Sequence, residues 1–170
     1  MENILLLFGK PATKDKRHFF LALKNLQTKT GCLAQVLDAD IVVSEKHLHF
    51  AVEKAMLAFS EGKNIAKDVG MEILRYASGE RQIERALSKG FSDSTERIAL
   101  ILIANPNADW HWPGPSELSK VIIIDGHGCK FKPEEVRIAF NITPEELEAA
   151  NEAKLPDLVL ERVALAETFR

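Results

Sequence analysis

Between residues 44 and 91 three amphipathic segments follow one another, and this run limits the possible folds more than any other feature of the chain. In Ser44 to Glu61, the residues Leu48, Ala51, Val52, Ala55, Met56 and Phe59 recur at i, i+3, i+4, i+7, i+8 and i+11. That spacing predicts one apolar face of an α-helix, with Ser44 as a suitable N-cap in front of it. Ala51, Ala55 and Ala58 lie on or beside the stripe and let another element come close to the backbone. The second segment carries Ile65, Val69, Ile73, Leu74 and Ala77 at helical spacing, and the third carries Ile83, Ala86 and Leu87. Ser78-Gly79 between them is expected to end one helix and cap the next.

The flanking sequence adds strands. Glu2 to Gly9 reads as a strand, and Asp15 to Lys29 as a helix with His18, Phe19, Leu21, Ala22 and Leu26 on its apolar side, stopped by Gly31. Leu33 to Val43 contains at least one strand. Glu96 to Asn105 is nearly all apolar, which predicts a central strand buried on both faces. The loop Pro106 to Pro115 holds three prolines and both tryptophans and is not regular structure. Val121 to Asp125 is a further short strand. Beyond Pro133 the chain reads as helical, with a Thr143-Pro144-Glu145-Glu146 start and a closing helix from Asp157 to Thr168. No repeat or linker divides the chain, so a single domain is expected: a mixed α/β or α+β fold with a small central sheet covered by helices.

A chain of 170 residues can bury roughly 70% of its unfolded surface. Its 46% hydrophobic and 28% charged content is ordinary for a globular protein. The apolar runs are too short to span a bilayer, and Asn3 to Phe8 lacks the flanks of a signal peptide, so a cytoplasmic location is expected. Two cysteines in unrelated contexts exclude a disulfide framework. A net charge of −3 offers no global attraction to nucleic acid, yet residues 1–30 carry six Lys/Arg against two Asp/Glu, and residues 133–170 four against nine. These are solvated faces, or else a basic side for phosphate and an acidic side turned away from it.

Catalytic signatures are weak. His47 and His49, two apart on a helix, point about 200° apart and cannot share a metal. Gly126-His127-Gly128-Cys129 invites a thiol-nucleophile reading, but a catalytic cysteine needs a positioned base and a lowered pKa, and a turn after a strand explains the motif better. Neither a Walker-type loop nor a Gly-x-Gly-x-x-Gly motif occurs. Two other features are more informative. Phe50 and Leu57 fall opposite the main stripe of the 44–61 helix, where they are either covered within the domain or exposed for a partner. On the last helix Leu158 and Leu165 belong to an apolar set spread round most of the circumference. The second feature is Lys63, Asn64, Ile65, Arg75, Ser78, Gly79, Arg81 and Gln82, where the Ser78-Gly79 N–H groups could seat an anion flanked by Arg81 and Arg85. Glu61, Asp68, Glu72, Glu80 and Glu84 share the segment, and the residues alone favour surface ion pairs.

His49-Phe50-Ala51-Val52-Glu53-Lys54-Ala55, then Met71 to Ile83 with its Ser78-Gly79-Glu80-Arg81-Gln82 turn, followed by Ala86 and Gly90, resembles the small non-catalytic subunit of the KEOPS complex, the family of the p53-related-kinase-binding protein. The resemblance runs more weakly over nearly the whole chain. It implies a non-enzymatic adaptor without a cofactor in a complex that installs threonylcarbamoyladenosine (t6A) in tRNA, with the chemistry in other subunits. The implied partners are an atypical small protein kinase and the single-stranded 3′ CCA end of tRNA. Carried onto this sequence, RNA falls on Lys63, Asn64, Ile65, Arg75 and the 78–82 turn, and the kinase on the helical faces with Phe50, Leu57, Leu158 and Leu165. A stand-alone RNA-binding module and a thiol-dependent enzyme around Cys129 are the alternatives.

Overall fold

The computed structural model describes residues 3–167. Glu2, placed in the first strand, and Thr168, placed in the last helix, lie outside the described residues.

An antiparallel sheet of four strands is built on the apolar run near residue 100. The strands are β1 (Ile4–Pro11), β2 (Leu33–Asp38), β3 (Ile98–Ile103) and β4 (Ile122–Ile124), in the order β2-β3-β1-β4. β3 pairs with β1 from Ile4↔Ile103 to Gly9↔Ile98, and with β2 from Leu33↔Ile103 to Asp38↔Ile98. Every residue of β3 is buried, as expected for a run without polar alternation. Its side chains divide by the period of two: Ala99, Ile101 and Ile103 enter one core, and Ile98, Leu100 and Leu102 the other. Each large apolar side chain buried here stabilises the fold by roughly 1.5–3 kcal/mol.

One helix, α1 (Lys16–Thr30), covers the second face. Asp15 caps it by accepting from His18 N–H at 2.9 Å. Its buried side is Phe19, Leu23, Leu26 and Thr30, whereas His18 and Leu21, expected on that side, are exposed. The buried spacing i, i+4, i+7 runs through Leu23. The Pro/Trp loop closes the far end of this helix. His111 N–H donates to Thr30 O at 2.8 Å, and Gly31 takes φ 72° beneath the Asp109 backbone. Gln27 and Gln35 side chains accept from the Ala34 and Val36 N–H groups (3.0 and 2.8 Å), which satisfies outward donors of the edge strand β2.

The opposite face carries α2 (Glu45–Ser60), α3 (Val69–Ala77), α4 (Ile83–Leu87), α6 (Pro133–Ala139), α7 (Pro144–Ala150) and α8 (Leu155–Leu165); α5 (Pro115–Leu118) is a single turn before β4. Ser44 and Thr143 cap α2 and α7 as expected, each accepting at 3.0 Å from the N–H three residues on. α2 packs on α3 and α8 through Leu48, Ala51, Val52, Ala55 and Ala58. Met56 departs from the expected stripe: it is 37% exposed and lines a groove between α1, β2, α2 and α3 instead of entering the core. α3 begins at Val69 and not at Ile65. Asp68 caps it by accepting from Met71 N–H at 2.9 Å, and Ile65 stays in the preceding loop, 42% exposed. No helix among the described residues is long and apolar enough to cross a membrane.

Candidate functional site

The outward side of α2 is one candidate surface. Leu57 is 47% exposed and Phe50 half-buried, so the apolar residues opposite the buried stripe are left partly uncovered. Lys54, one turn from Phe50, places its ammonium 5.7 Å from the centre of that ring and 2.8 Å from Glu167 Oε2, just beyond α8. On α8 itself Leu165 is half-buried, but Leu158 is covered by the domain. The expectation that Leu158 meets a partner is therefore corrected: Leu158 packs in the core with Leu155, Val159 and Val163.

The second candidate surface is formed by the loop before α3 and the turn after it. Lys63 is exposed and pairs with Glu61 at 3.0 Å; Asn64 Nδ2 donates to Ala66 O at 2.8 Å. Arg81 and Gln82 are exposed, and Gly79 is half-buried at φ 65° over Phe140 and the Cβ of Arg162. Two expectations change here. Arg75 does not face outward: its side chain has no exposure and forms an ion pair with Glu72, Nη2 to Oε1 at 2.7 Å. Ser78 is also buried, its hydroxyl donating to Arg75 O at 3.1 Å. Nor do the Ser78-Gly79 N–H groups await an anion. They donate to Leu74 O and Tyr76 O at 3.0 Å each, which closes the end of α3, and Gln82 is the residue that precedes α4. Ser78-Gly79 is a helix end, and the N-terminus of the five-residue α4 opens only at Gln82, whose side chain does not cap it.

The charges around this turn are held from below. Burial alone would raise the Glu72 carboxyl, but hydrogen bonds from Arg75, Ala66 N–H and Ile65 N–H outweigh it and hold the group below its ordinary range. Lys89, absent from the residues expected at this site, reaches Glu80 Oε1 at 2.7 Å, Ser78 O at 3.2 Å and Ala139 O, with its ammonium 5.5 Å from the Phe140 ring centre. Its nearest signal in the sequence, a lysine nine residues after a glutamate, points to nothing. A groove of about 860 Å³ adjoins the same loop, between α1, β2, the end of α2 and the start of α3. Phe20, Leu33, Met56, Phe59, Leu87 and Phe91 are among its lining residues, drawn from segments that no local pattern connects.

Around Cys129 the observed interactions hold a turn and leave the thiol protonated. Arg97 and Asp125 form a two-pronged pair (2.6 and 2.8 Å) that also fixes the turn through Asp125 and His127 N–H at 2.9 Å. Burial, with Glu45 adding to it, pushes the Cys129 thiol up to about 11. That is opposite to what a nucleophile requires. Among the described residues no group of three or more His, Cys, Asp or Glu side chains stands together to hold a metal ion.

A sequence model of the family described as "Kinase binding protein CGI-121" matches residues 19–167. A relative from Methanocaldococcus jannaschii, "Regulatory protein Cgi121", is 44% identical over 57 residues, which is 34% of this chain and 37% of that protein. The alignment thus spans a little over a third of the relative's length.

Proposed function

The chain belongs to the CGI-121 kinase-binding protein family, and from that premise we propose that it is the non-catalytic adaptor of the KEOPS complex for t6A modification of tRNA. In this reading it works in the cytoplasm, docks an atypical small kinase and holds the 3′ CCA end of tRNA. The kinase meets the outer side of α2 with Phe50 and Leu57, next to Leu165 of α8. RNA meets Lys63, Asn64, Ile65, Gly79, Arg81 and Gln82; Arg75, Ser78 and Leu158 are excluded from direct contact by their burial. The observation that carries the kinase half is Leu57, a large apolar residue left 47% exposed on α2, in a chain whose family is described as kinase-binding. The RNA half is supported by Lys63, Arg81 and the apolar Ile65 standing exposed on two neighbouring segments, which matches the mix of charge and apolar surface that splayed single strands require.

Titration of the purified chain, with and without the kinase, against intact tRNA and tRNA lacking its CCA end tests both halves. Affinity that depends on the CCA end is expected. Kinase binding with no RNA dependence would reduce the role to a scaffold, and binding of neither would overturn the reading.

A further inference from the structure

Four backbone groups from three separate segments converge on one buried ion pair. Glu72 accepts from Ile65 N–H at 3.3 Å and from Ala66 N–H at 2.8 Å, both in the loop before α3. Arg75 donates from Nη1 to Glu80 O at 3.2 Å, in the turn after α3, and to Ala166 O at 3.3 Å, at the end of α8. The next residue along, Glu167, takes Lys54 Nζ at 2.8 Å, and Lys54 lies over Phe50. An unbroken run of contacts thus joins the outer side of α2 to both segments that carry Lys63, Asn64, Ile65, Gly79, Arg81 and Gln82.

We propose that Arg75 is a positioning residue that couples the two surfaces: a partner seated on Phe50 and Leu57 orders the end of α8, and Arg75 passes that order to the 62–68 loop and the 78–82 turn. The inference rests on the two-surface reading given above. Its physical basis is the guanidinium fork, which presents five N–H donors in a rigid plane and so engages Glu72, Glu80 O and Ala166 O together. Neither charged side chain has any exposure, so water cannot replace a contact that is lost. The three segments therefore order or loosen as a set. The coupling is positive and reciprocal, because whichever partner binds first meets the ordering cost for the other.

A purely structural pair would add stability and leave the two binding events independent, so the test reads the coupling itself. The tRNA affinity of the full chain is measured with and without saturating kinase, for the wild type and for Arg75→Lys, which keeps the charge and loses the fork. Amide exchange is followed in the free chain as well. The kinase should raise tRNA affinity by about fivefold or more in the wild type and have no effect in Arg75→Lys, with kinase affinity itself changed by less than about twofold. In the free chain, Lys54→Ala, which removes the ion pair from Lys54 to Glu167, should speed exchange at Ile65 and Ala66 in the wild-type background and add nothing in Arg75→Lys. If Arg75→Lys does not fold, Glu72→Gln takes its place with the same expectations. A kinase effect that survives Arg75→Lys overturns the proposal, as does exchange at Ile65 and Ala66 that ignores Lys54→Ala. If the wild type binds no tRNA, the functional reading fails by itself, and the exchange experiment alone decides whether Arg75 couples the segments.

Discussion

His47 Nε2 on α2 lies 2.7 Å from the carbonyl oxygen of Ala77, thirty residues later at the end of α3. Val43 N–H donates to the other ring nitrogen at 3.4 Å, so Nδ1 is the acceptor and Nε2 carries the proton that Ala77 receives. The ring is fully buried and stands edge-on to Phe140 at 5.7 Å, which makes it a neutral clamp between the two helices. It has no metal-binding geometry with His49.

This clamp gives stability an unusual dependence on pH. Burial pushes His47 down to about 4 from 6.5, against the opposing effect of the Ala77 bond. Between those values the unfolded chain takes up a proton that the folded chain refuses, so the His47 contribution is complete above pH 6.5 and lost toward pH 4. The full loss is on the order of 3 kcal/mol. Asp38 does the opposite. Burial lifts it to about 6 from 3.8, so its contribution is present at low pH and lost as pH rises through 6. The two slopes oppose each other in the wild type. His47→Gln, which keeps a donor for Ala77, should gain stability relative to wild type as pH falls from 6.5 to 4.5, and Asp38→Asn should lose more than wild type. Urea midpoints across this range check both; unchanged slopes would contradict the assignment.

Removing one member of the Glu72–Arg75 pair strands the other charge without water. Glu72→Met and Arg75→Met should each cost roughly 3–5 kcal/mol, and the double variant should cost clearly less than the sum. A double-mutant cycle in urea measures the difference, and strict additivity would rule the pair out as a unit.

Two glycines with left-handed backbones should respond unequally to alanine. Gly62 has φ 68° and nothing within 4 Å of an added Cβ, so Gly62→Ala should cost only about 1–2 kcal/mol from the backbone. At Gly31, with φ 72°, the added Cβ would stand 2.4 Å from Asp109 O, so the Trp loop must move. Thermal unfolding should show a markedly larger loss for Gly31→Ala.

Cys129 should alkylate slowly. With its thiol pushed up to about 11, very little thiolate exists at neutral pH. The rate with iodoacetamide at pH 7 should fall below that of a free thiol in solution. Rapid labelling would reopen the thiol-enzyme alternative.

The signals legible in the sequence were the local ones. Ser44 and Thr143 announce their helices because capping is decided within three residues, and β3 is recognisable because a strand buried on both faces needs no polar alternation. Ile65 misled because helical spacing continues one turn upstream of α3, while Asp68 sets the start and Glu72 holds the loop from inside. Arg75 looked like a surface charge because Ala166, one of its acceptors, is 91 residues away. Leu158 and Leu165 could not be told apart on α8, whose apolar residues face several ways; only the tertiary packing, which puts Leu158 in the core and leaves Leu165 half-buried, separates them. The groove beside the loop was invisible for the same reason: its walls come from α1, β2, α2 and α3.

Kinase binding through the outer side of α2 is the centre of the account, and the affinity of Leu57→Glu for the atypical kinase tests it most directly. Arg81→Glu serves as the control, expected to weaken tRNA binding and leave the kinase bound. Leu57→Glu should match the wild-type unfolding free energy in urea to within about 0.5 kcal/mol, and bind the kinase at least about tenfold more weakly. A Leu57→Glu protein that folds normally and binds the kinase as tightly as the wild type would contradict it.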